Sequence, residues 1–210
     1  MIVYDLSMPT GDGVDWYHEA GCIPVRLRDV GSLAEDGWLS HELSLMVLNG
    51  CTYLETAGHV IDGGATLDDI PPERLLTRAF VIEIALDGPL MLAPEDELRD
   101  FRAGEDALLL HCGWDAQVHS TDYYHASPYF APELQAWVLR HRPAILGGDV
   151  LSFDDPAGAS MPFVNALFGQ GGMILCPLVG LDRLPATVTL CAAPVKLAGA
   201  NAAPCRALAW

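Results

Sequence analysis

The chain has 210 residues, of which 51% are hydrophobic and 19% are charged, and its formal net charge is −17. This composition indicates a single folded domain over residues 1–210 with a substantial core, and it excludes a disordered chain. An acidic surface repels nucleic acid and anionic membranes, and one lysine in the whole chain provides no basic patch to offset that charge.

The sequence carries no sign of a membrane or export segment. No apolar run approaches the roughly 20 residues of a membrane span, and the first residues lack the basic region of a signal peptide. We therefore expect a cytoplasmic protein. The six cysteines show no C-x-x-C spacing, so we expect reduced and mostly buried thiols.

The hydrophobic pattern predicts an α/β protein in which strands outnumber helices. Helices are predicted at residues 131–141 and 162–169, and both fall between strands. His111, at the end of a predicted strand, is expected to be a hydrogen-bonded core residue. Residues 144–147 are predicted to lead into a strand or turn, and the predicted strands cover residues 1–5, 43–48, 78–86, 107–112, 173–178 and 186–196.

One motif carries most of the functional information. Residues 49–59 read Asn-Gly-Cys-Thr-Tyr-Leu-Glu-Thr-Ala-Gly-His. This segment resembles the signature H-x-G-T-H-x-D-x-P-x-H of the putative cyclase family, which includes bacterial kynurenine formamidase, isatin hydrolase and related amide and lactone hydrolases. Thr52 and His59 match the signature, and Glu55 replaces its Asp. Asn49 and Tyr53 stand where the signature has His.

Further segments resemble the same family in the same order along the whole chain. Residues 5–9 resemble D-L-S-x-P, and residues 63–73 resemble G-G-x-T-x-D-x-I-P-x-E. Residues 113–115, 121–128 and 147–152 resemble its G-W-D, T-D-x-Y with H-P, and G-x-D-x-x-S segments. The resemblance implies a swivelling β/β/α fold with a mixed β-sheet core and flanking helices. It also implies a homodimer or larger homo-oligomer.

The resemblance implies a metal centre whose ligands have changed in this chain. In the family, the signature residues bind metal together with a Glu and with a later His that lies in an F-P-x-H segment. We place the Glu on Cys176, and we place the His on Asn165, in the segment that begins at Met161. Amide and phenol groups are poor ligands for zinc or manganese, so we predict no resident metal. The alternative is one zinc or manganese ion bound through Glu55, His59 and Cys176, with water in the fourth position.

The residues that remain predict acid–base chemistry. His59 is the predicted general base or acid near neutral pH, and Glu55 is predicted to orient it or to take a proton itself. Five further residues are predicted to contact the substrate, its carbonyl group or an oxyanion. The predicted substrate-binding residues are Trp16, Asn49, Tyr53, Asn165 and Cys176.

These assignments predict a metal-independent cyclase or hydrolase that acts in biosynthesis on a small amide, ester or lactone-type substrate. Two alternatives stay open: a metal-dependent amidohydrolase resembling arylformamidase, and a non-catalytic homologue that binds a small molecule. A thiolate of Cys176 beside His59 would offer nucleophilic catalysis as a further mechanism.

Overall fold

The structure is a computed structural model that describes residues 1–11, 25–45, 51–95 and 98–210. Trp16 and Asn49, two of the predicted substrate-binding residues, lie outside the described residues. None of the helices in the described ranges is long and apolar enough to cross a membrane.

The described residues form a mixed α/β fold. The helices are α1 (Asp122–His125), α2 (Pro132–His141) and α3 (Pro162–Gly169). The strands are β1 (Tyr4–Asp5), β2 (Arg26–Gly31), β3 (Ser40–Ser44), β4 (Tyr53–Glu55), β5 (Leu76–Glu83), β6 (Leu86–Asp87), β7 (Leu90–Met91), β8 (Ala107–His111), β9 (Tyr129–Phe130), β10 (Ile145–Gly148), β11 (Met173–Cys176), β12 (Thr187–Pro194) and β13 (Ala202–Ala209).

Seven of these strands close into a barrel. Their order is β13-β12-β5-β8-β10-β11-β4, and β4 pairs with β13 to complete the ring, while β1 extends the sheet from β13. The run β5-β8-β10-β11 is parallel and the other neighbours are antiparallel. The mixed sheet expected from the sequence is therefore confirmed, and its closure into a barrel is an additional feature.

The barrel interior is filled by one of the two side-chain sets of each strand, because successive side chains of a strand point to opposite faces. Leu54, Leu109, Leu175 and Leu190 are fully buried members of this interior cluster. Gly147 makes room for them, since a Cβ atom there would lie 2.7 Å from Leu109 Cδ2. The opposite side-chain set forms a second core, which packs against the helices.

Helix α3 begins where a carboxylate satisfies its first backbone groups. Asp154 accepts hydrogen bonds from the N–H groups of Phe163 (2.9 Å) and Val164 (3.1 Å). These N–H groups have no partner within the helix, and a negative charge is favourable at a helix N-terminus. The contact fixes residues 151–161 next to the outer face of the barrel.

Both predicted helices are confirmed, α3 with its predicted bounds and α2 with its first residue one position later. The buried strand predicted at residues 43–48 is wrong at Leu43, which is 52% exposed. This residue lies in β3, which pairs only with β2 in a separate hairpin and takes no part in the barrel. The prediction also missed β13, whose many alanines give no strong hydrophobic pattern.

Candidate active site

The candidate active site lies on the outer face of two neighbouring barrel strands, β4 and β11. Their antiparallel register pairs Tyr53 with Cys176 and Glu55 with Ile174. These four side chains project from the same face, while Leu54 between them points into the barrel. The fold thus brings the signature segment together with a strand that comes much later in the sequence.

Glu55 and His59 meet at this face. A short turn of 3-10 helix, Ala57–His59, follows β4 and places His59 Nδ1 3.2 Å from Glu55 Oε1. Glu55 is only 4% exposed. Although the two atoms are close, their geometry is not that of a hydrogen bond, and Oε1 has no hydrogen-bond partner among the described residues. The predicted catalytic pair is therefore brought together around an unsatisfied buried carboxyl group.

Burial shifts the pKa values of the two groups in opposite directions. It raises the pKa of Glu55 to about 7, because the charged carboxylate is poorly solvated. It lowers the pKa of His59 for the corresponding reason, since the imidazolium is the charged form. Near neutral pH, Glu55 is therefore about half protonated while His59 is mostly neutral, so the pair can both give and accept a proton.

Asn201 is a third member of the site, and the sequence did not predict it. Its Nδ2 lies 3.1 Å from His59 Nδ1. The backbone carbonyl oxygen of Asn201 accepts hydrogen bonds from the backbone N–H (2.8 Å) and the hydroxyl (3.0 Å) of Thr56, which hold Asn201 beside the motif. Both Asn201 and Glu55 contact Nδ1, so Nε2 is the ring nitrogen that can meet a substrate.

The pair opens into a cleft of about 490 Å³. Apolar side chains form much of its wall, and residues 151–161 supply polar groups that include Ser152 and Ser160. This size and mixture of surfaces suit a small organic molecule. The larger apolar lining residues are Tyr124, Phe153, Met161, Val164 and Ile174.

Asn165 does not line this cleft. Its side chain is exposed, and its Nδ2 donates a hydrogen bond to the carbonyl of Met161 (2.8 Å), one turn earlier in α3. The segment F-P-x-H has four residues. When its Phe is placed on Met161, its His falls on Val164, which does line the cleft. By this count the resemblance places the later His of the family on Val164, an apolar residue, and not on Asn165.

Tyr53 and Cys176 form a buried pair at the base of the site. Cys176 Sγ donates a hydrogen bond to Tyr53 Oη (3.2 Å), and the thiol is fully buried. Burial raises the pKa of both groups well above the usual range. The thiol stays protonated in these surroundings, which argues against a nucleophilic thiolate at this position.

Among the described residues, the alternative ligands Glu55, His59 and Cys176 do not form a metal-binding group. The thiol of Cys176 is protonated, and Glu55, His59 and Cys176 do not gather their ligand atoms within 4.8 Å of one another. In the described ranges only His111, Asp115 and Asp149 do so. A zinc site requires at least three protein ligands around one point, which Glu55, His59 and Cys176 do not supply.

The group around Asp149 is explained by hydrogen bonding within the fold. The buried carboxylate of Asp149 accepts hydrogen bonds from the backbone N–H groups of residues 112–114 and lies 3.0 Å from His111 Nδ1. Asp115 accepts a hydrogen bond from the N–H of Gly180 (2.7 Å). A bound cation would have to compete with these donors. The hydrogen-bonded role expected of His111 agrees with this arrangement.

Comparison with known proteins identifies the family. The model of the family described as Putative cyclase matches residues 4–155. The chain belongs to the Putative cyclase family. The curated proteins include no match to it.

Solved structures show the same fold over nearly the whole chain. Isatin hydrolase A from Labrenzia aggregata, bound to benzyl benzoate, is 22% identical with a TM-score of 0.78, and the match covers 99% of this chain and 93% of that one. A predicted metal-dependent hydrolase from Bacillus stearothermophilus is 22% identical with a TM-score of 0.78, covering 99% and 97%. A potential metal-dependent hydrolase with cyclase activity is 21% identical with a TM-score of 0.73, covering 99% and 96%.

Proposed function

We propose that this member of the family is a cyclase or hydrolase that acts on a small amide, ester or lactone-type substrate through Glu55 and His59. The observation that carries the proposal is the buried carboxyl group of Glu55, which lines the cleft. Its Oε1 lies 3.2 Å from His59 Nδ1 and has no hydrogen-bond partner among the described residues. An unsatisfied buried acid destabilises the fold, and groups with such shifted pKa values concentrate at functional sites.

Hydrolysis at this site follows from the contacts of His59 Nδ1. When Glu55 is ionised, its charge 3.2 Å from Nδ1 favours the Nδ1–H tautomer, for which the amide of Asn201 turns its oxygen in place of Nδ2 toward the ring. Nε2 then accepts a proton from water as the water oxygen attacks the substrate carbonyl. The imidazolium then returns that proton to the leaving nitrogen or oxygen as its bond to the carbonyl carbon breaks. Ring closure is the reverse sequence: the amine or hydroxyl of the substrate attacks its own carboxyl carbon, His59 takes the proton of that nucleophile, and the proton returns to the departing hydroxyl, which leaves as water.

The ionisation of Glu55 therefore controls the direction in which His59 moves protons. When Glu55 is protonated, the amide of Asn201 can donate to Nδ1, and the proton of the neutral ring lies on Nε2, where it acts as an acid. When Glu55 is ionised, Nε2 is the base. We expect kcat/KM for hydrolysis to rise with pH through about 7, the pKa of Glu55.

We propose that this chemistry is independent of a metal, because the described cleft residues do not supply a zinc ligand set. The metal-dependent amidohydrolase is the alternative, and the experiment is direct. Activity should be retained after dialysis against a chelator and should not rise on addition of zinc or manganese. Loss of activity in the chelator with recovery on added metal would establish the alternative.

The similar structures suggest the first substrates to test. One is an isatin hydrolase bound to the product analogue thioisatinate, at 19% identity and a TM-score of 0.77. We therefore propose isatin, a cyclic amide, together with aryl lactones and aryl esters as assay substrates. Turnover that is lost in Glu55→Gln and kept in Asp87→Asn, a matched change on an exposed strand, would support the proposal. Folded protein with no turnover of any substrate would favour the non-catalytic homologue.

We also propose a homo-oligomer in which the β2–β3 hairpin contacts a second copy. All residues of β3 and nearly all of β2 are exposed, and Leu27 pairs with Leu43 across the strands. A two-stranded hairpin is marginally stable alone, and a second copy would cover its apolar side chains. Light scattering should show a dimer or larger, and Leu27→Glu with Leu43→Glu should shift it to monomer. A wild-type monomer would contradict this. The cytoplasmic location stays a prediction.

A further inference from the structure

The cleft is lined by Asp and Glu residues but by no Lys or Arg. All eleven Lys and Arg residues of the chain fall within the described ranges, and none of them lines the cleft. The residues outside those ranges contain no Lys or Arg at all. Glu55, Asp154 and Asp155 do line it. The cleft is therefore lined by acidic groups and by no Lys or Arg.

Several of the arginines form ion pairs elsewhere in the fold. Arg78 and Arg102 both pair with the buried carboxylate of Asp106 on another part of the barrel. Arg206 pairs with Asp5 at 2.7 Å. A substrate carboxylate or phosphate in the cleft would meet no charged donor from this chain, and binding sites for such groups normally use Arg or Lys.

The acidic groups of the cleft differ in what they can offer a ligand. Asp154 already accepts two backbone hydrogen bonds at the start of α3. Asp155 is exposed, and its Oδ1 accepts a hydrogen bond from the N–H of Ala157 (2.8 Å). Asp155 is therefore the charged residue that can stabilise a cation at the rim without disturbing the helix or the catalytic pair.

We infer that the cleft selects aromatic, ring-sized carbonyl compounds that are uncharged or carry a cationic amino group, and that it rejects anionic ones. The apolar wall around Phe153, Met161 and Ile174 contacts the ring, and Asp155 attracts the amino group. This assignment rests on the proposed function for the identity of the site. Its test depends on binding alone, so turnover is not needed.

Three ligands of similar shape provide the test: 4-(aminomethyl)benzamide, 4-(hydroxymethyl)benzamide and 4-carboxybenzamide, which are cationic, neutral and anionic. Ligand-observed NMR at low salt should show the cation binding about threefold to tenfold more tightly than the anion, with the neutral compound between them. The preference should shrink in 0.5 M NaCl because salt screens exposed charges.

Two variants distinguish an effect of the charge in the cleft from an effect of the overall negative charge of the chain. Asp155→Lys should reduce the cation-to-anion ratio by about threefold or more. Asp87→Lys makes the same change of charge on an exposed strand away from the cleft and should leave the ratio nearly unchanged. Equal effects of the two variants, an anion that binds as tightly as the neutral compound, or no binding of any compound at about 10 mM would each overturn the inference. The predicted order of binding without turnover would overturn the proposed function alone.

Discussion

Two buried carboxyl groups, each beside a histidine, have opposite surroundings in this molecule. Asp149 accepts hydrogen bonds from three successive backbone N–H groups and contacts His111. Glu55 is nearly as buried, yet its Oε1 has no hydrogen-bond partner among the described residues although His59 is 3.2 Å away. The first carboxyl group stabilises a turn, whereas one oxygen of the second is left without a partner among the described residues. Burial alone therefore does not distinguish a structural carboxyl group from a candidate catalytic one, whereas the hydrogen bonds do.

The pKa values of the two histidines follow the same division. The hydrogen bond with Asp149 raises the pKa of His111, while burial lowers the pKa of His59. Asp149 thus stabilises the charged form of its neighbour, and the site around Glu55 stabilises the neutral form. A neutral imidazole at physiological pH is the form that can accept a proton, as general base catalysis requires.

The largest expected effect is on activity, and the two histidines provide matched variants. His59→Asn removes the proposed base and should lower kcat/KM by about 10²- to 10⁴-fold. His111→Asn should lower it by less than about threefold, because His111 does not line the cleft. Steady-state kinetics with the most active substrate of the panel measure both values. Equal losses in the two variants would remove the distinction between the sites.

The next effect is on stability, measured by urea unfolding. Asp149→Asn keeps the shape of the side chain but replaces an acceptor oxygen by an NH₂ group that faces backbone donors. Leaving buried donors unsatisfied should cost about 3 kcal/mol in the free energy of unfolding. Far-UV circular dichroism serves as the control for folding. A loss below about 1 kcal/mol would show that the turn does not depend on this carboxylate.

Glu55→Gln should have the opposite effect, and only at high pH. The pKa of Glu55 is about 7 in the folded protein against a model value of 4.5, so the folded state binds more protons between these values. Its stability should fall as pH rises through this window, by at most about 3 kcal/mol. Glu55→Gln should therefore be more stable than wild type at pH 8.5 and similar to it at pH 4.5. A variant less stable than wild type at pH 8.5 would contradict the burial of an unsatisfied acid.

The sequence predicted those parts of the site that depend on local pattern. Glu55 and His59 lie four residues apart in one motif, and the structure brings them into contact. Cys176 reaches Tyr53 through the register of β4 and β11, as the family positions implied. The parts that depend on long-range packing were missed. Asn201 has no motif of its own, and only the pairing of β13 with β4 places it beside His59.

The fold shows the same limit. Periodicity predicted α2 because its apolar residues recur at helical spacing, and the closing glycine predicted α3. It could not predict that seven strands form a closed barrel, since closure depends on pairing between β4 and β13, which are far apart in sequence. It also mistook Leu43 for a buried residue, because an apolar side chain in an exposed hairpin has the same pattern as one in a core strand.

The smallest effects are the pKa shifts of the histidines, which NMR titration can resolve one residue at a time. His111 should titrate above the model value of 6.5 and His59 below it. Asp149→Asn should lower the pKa of His111, because the hydrogen bond to the carboxylate is the main cause of the shift. Glu55→Gln should leave the pKa of His59 low, since burial is its cause. His59→Asn and His111→Asn assign the two resonances. If His59 titrated above His111, the neutral imidazole on which the proposed catalysis depends would be lost.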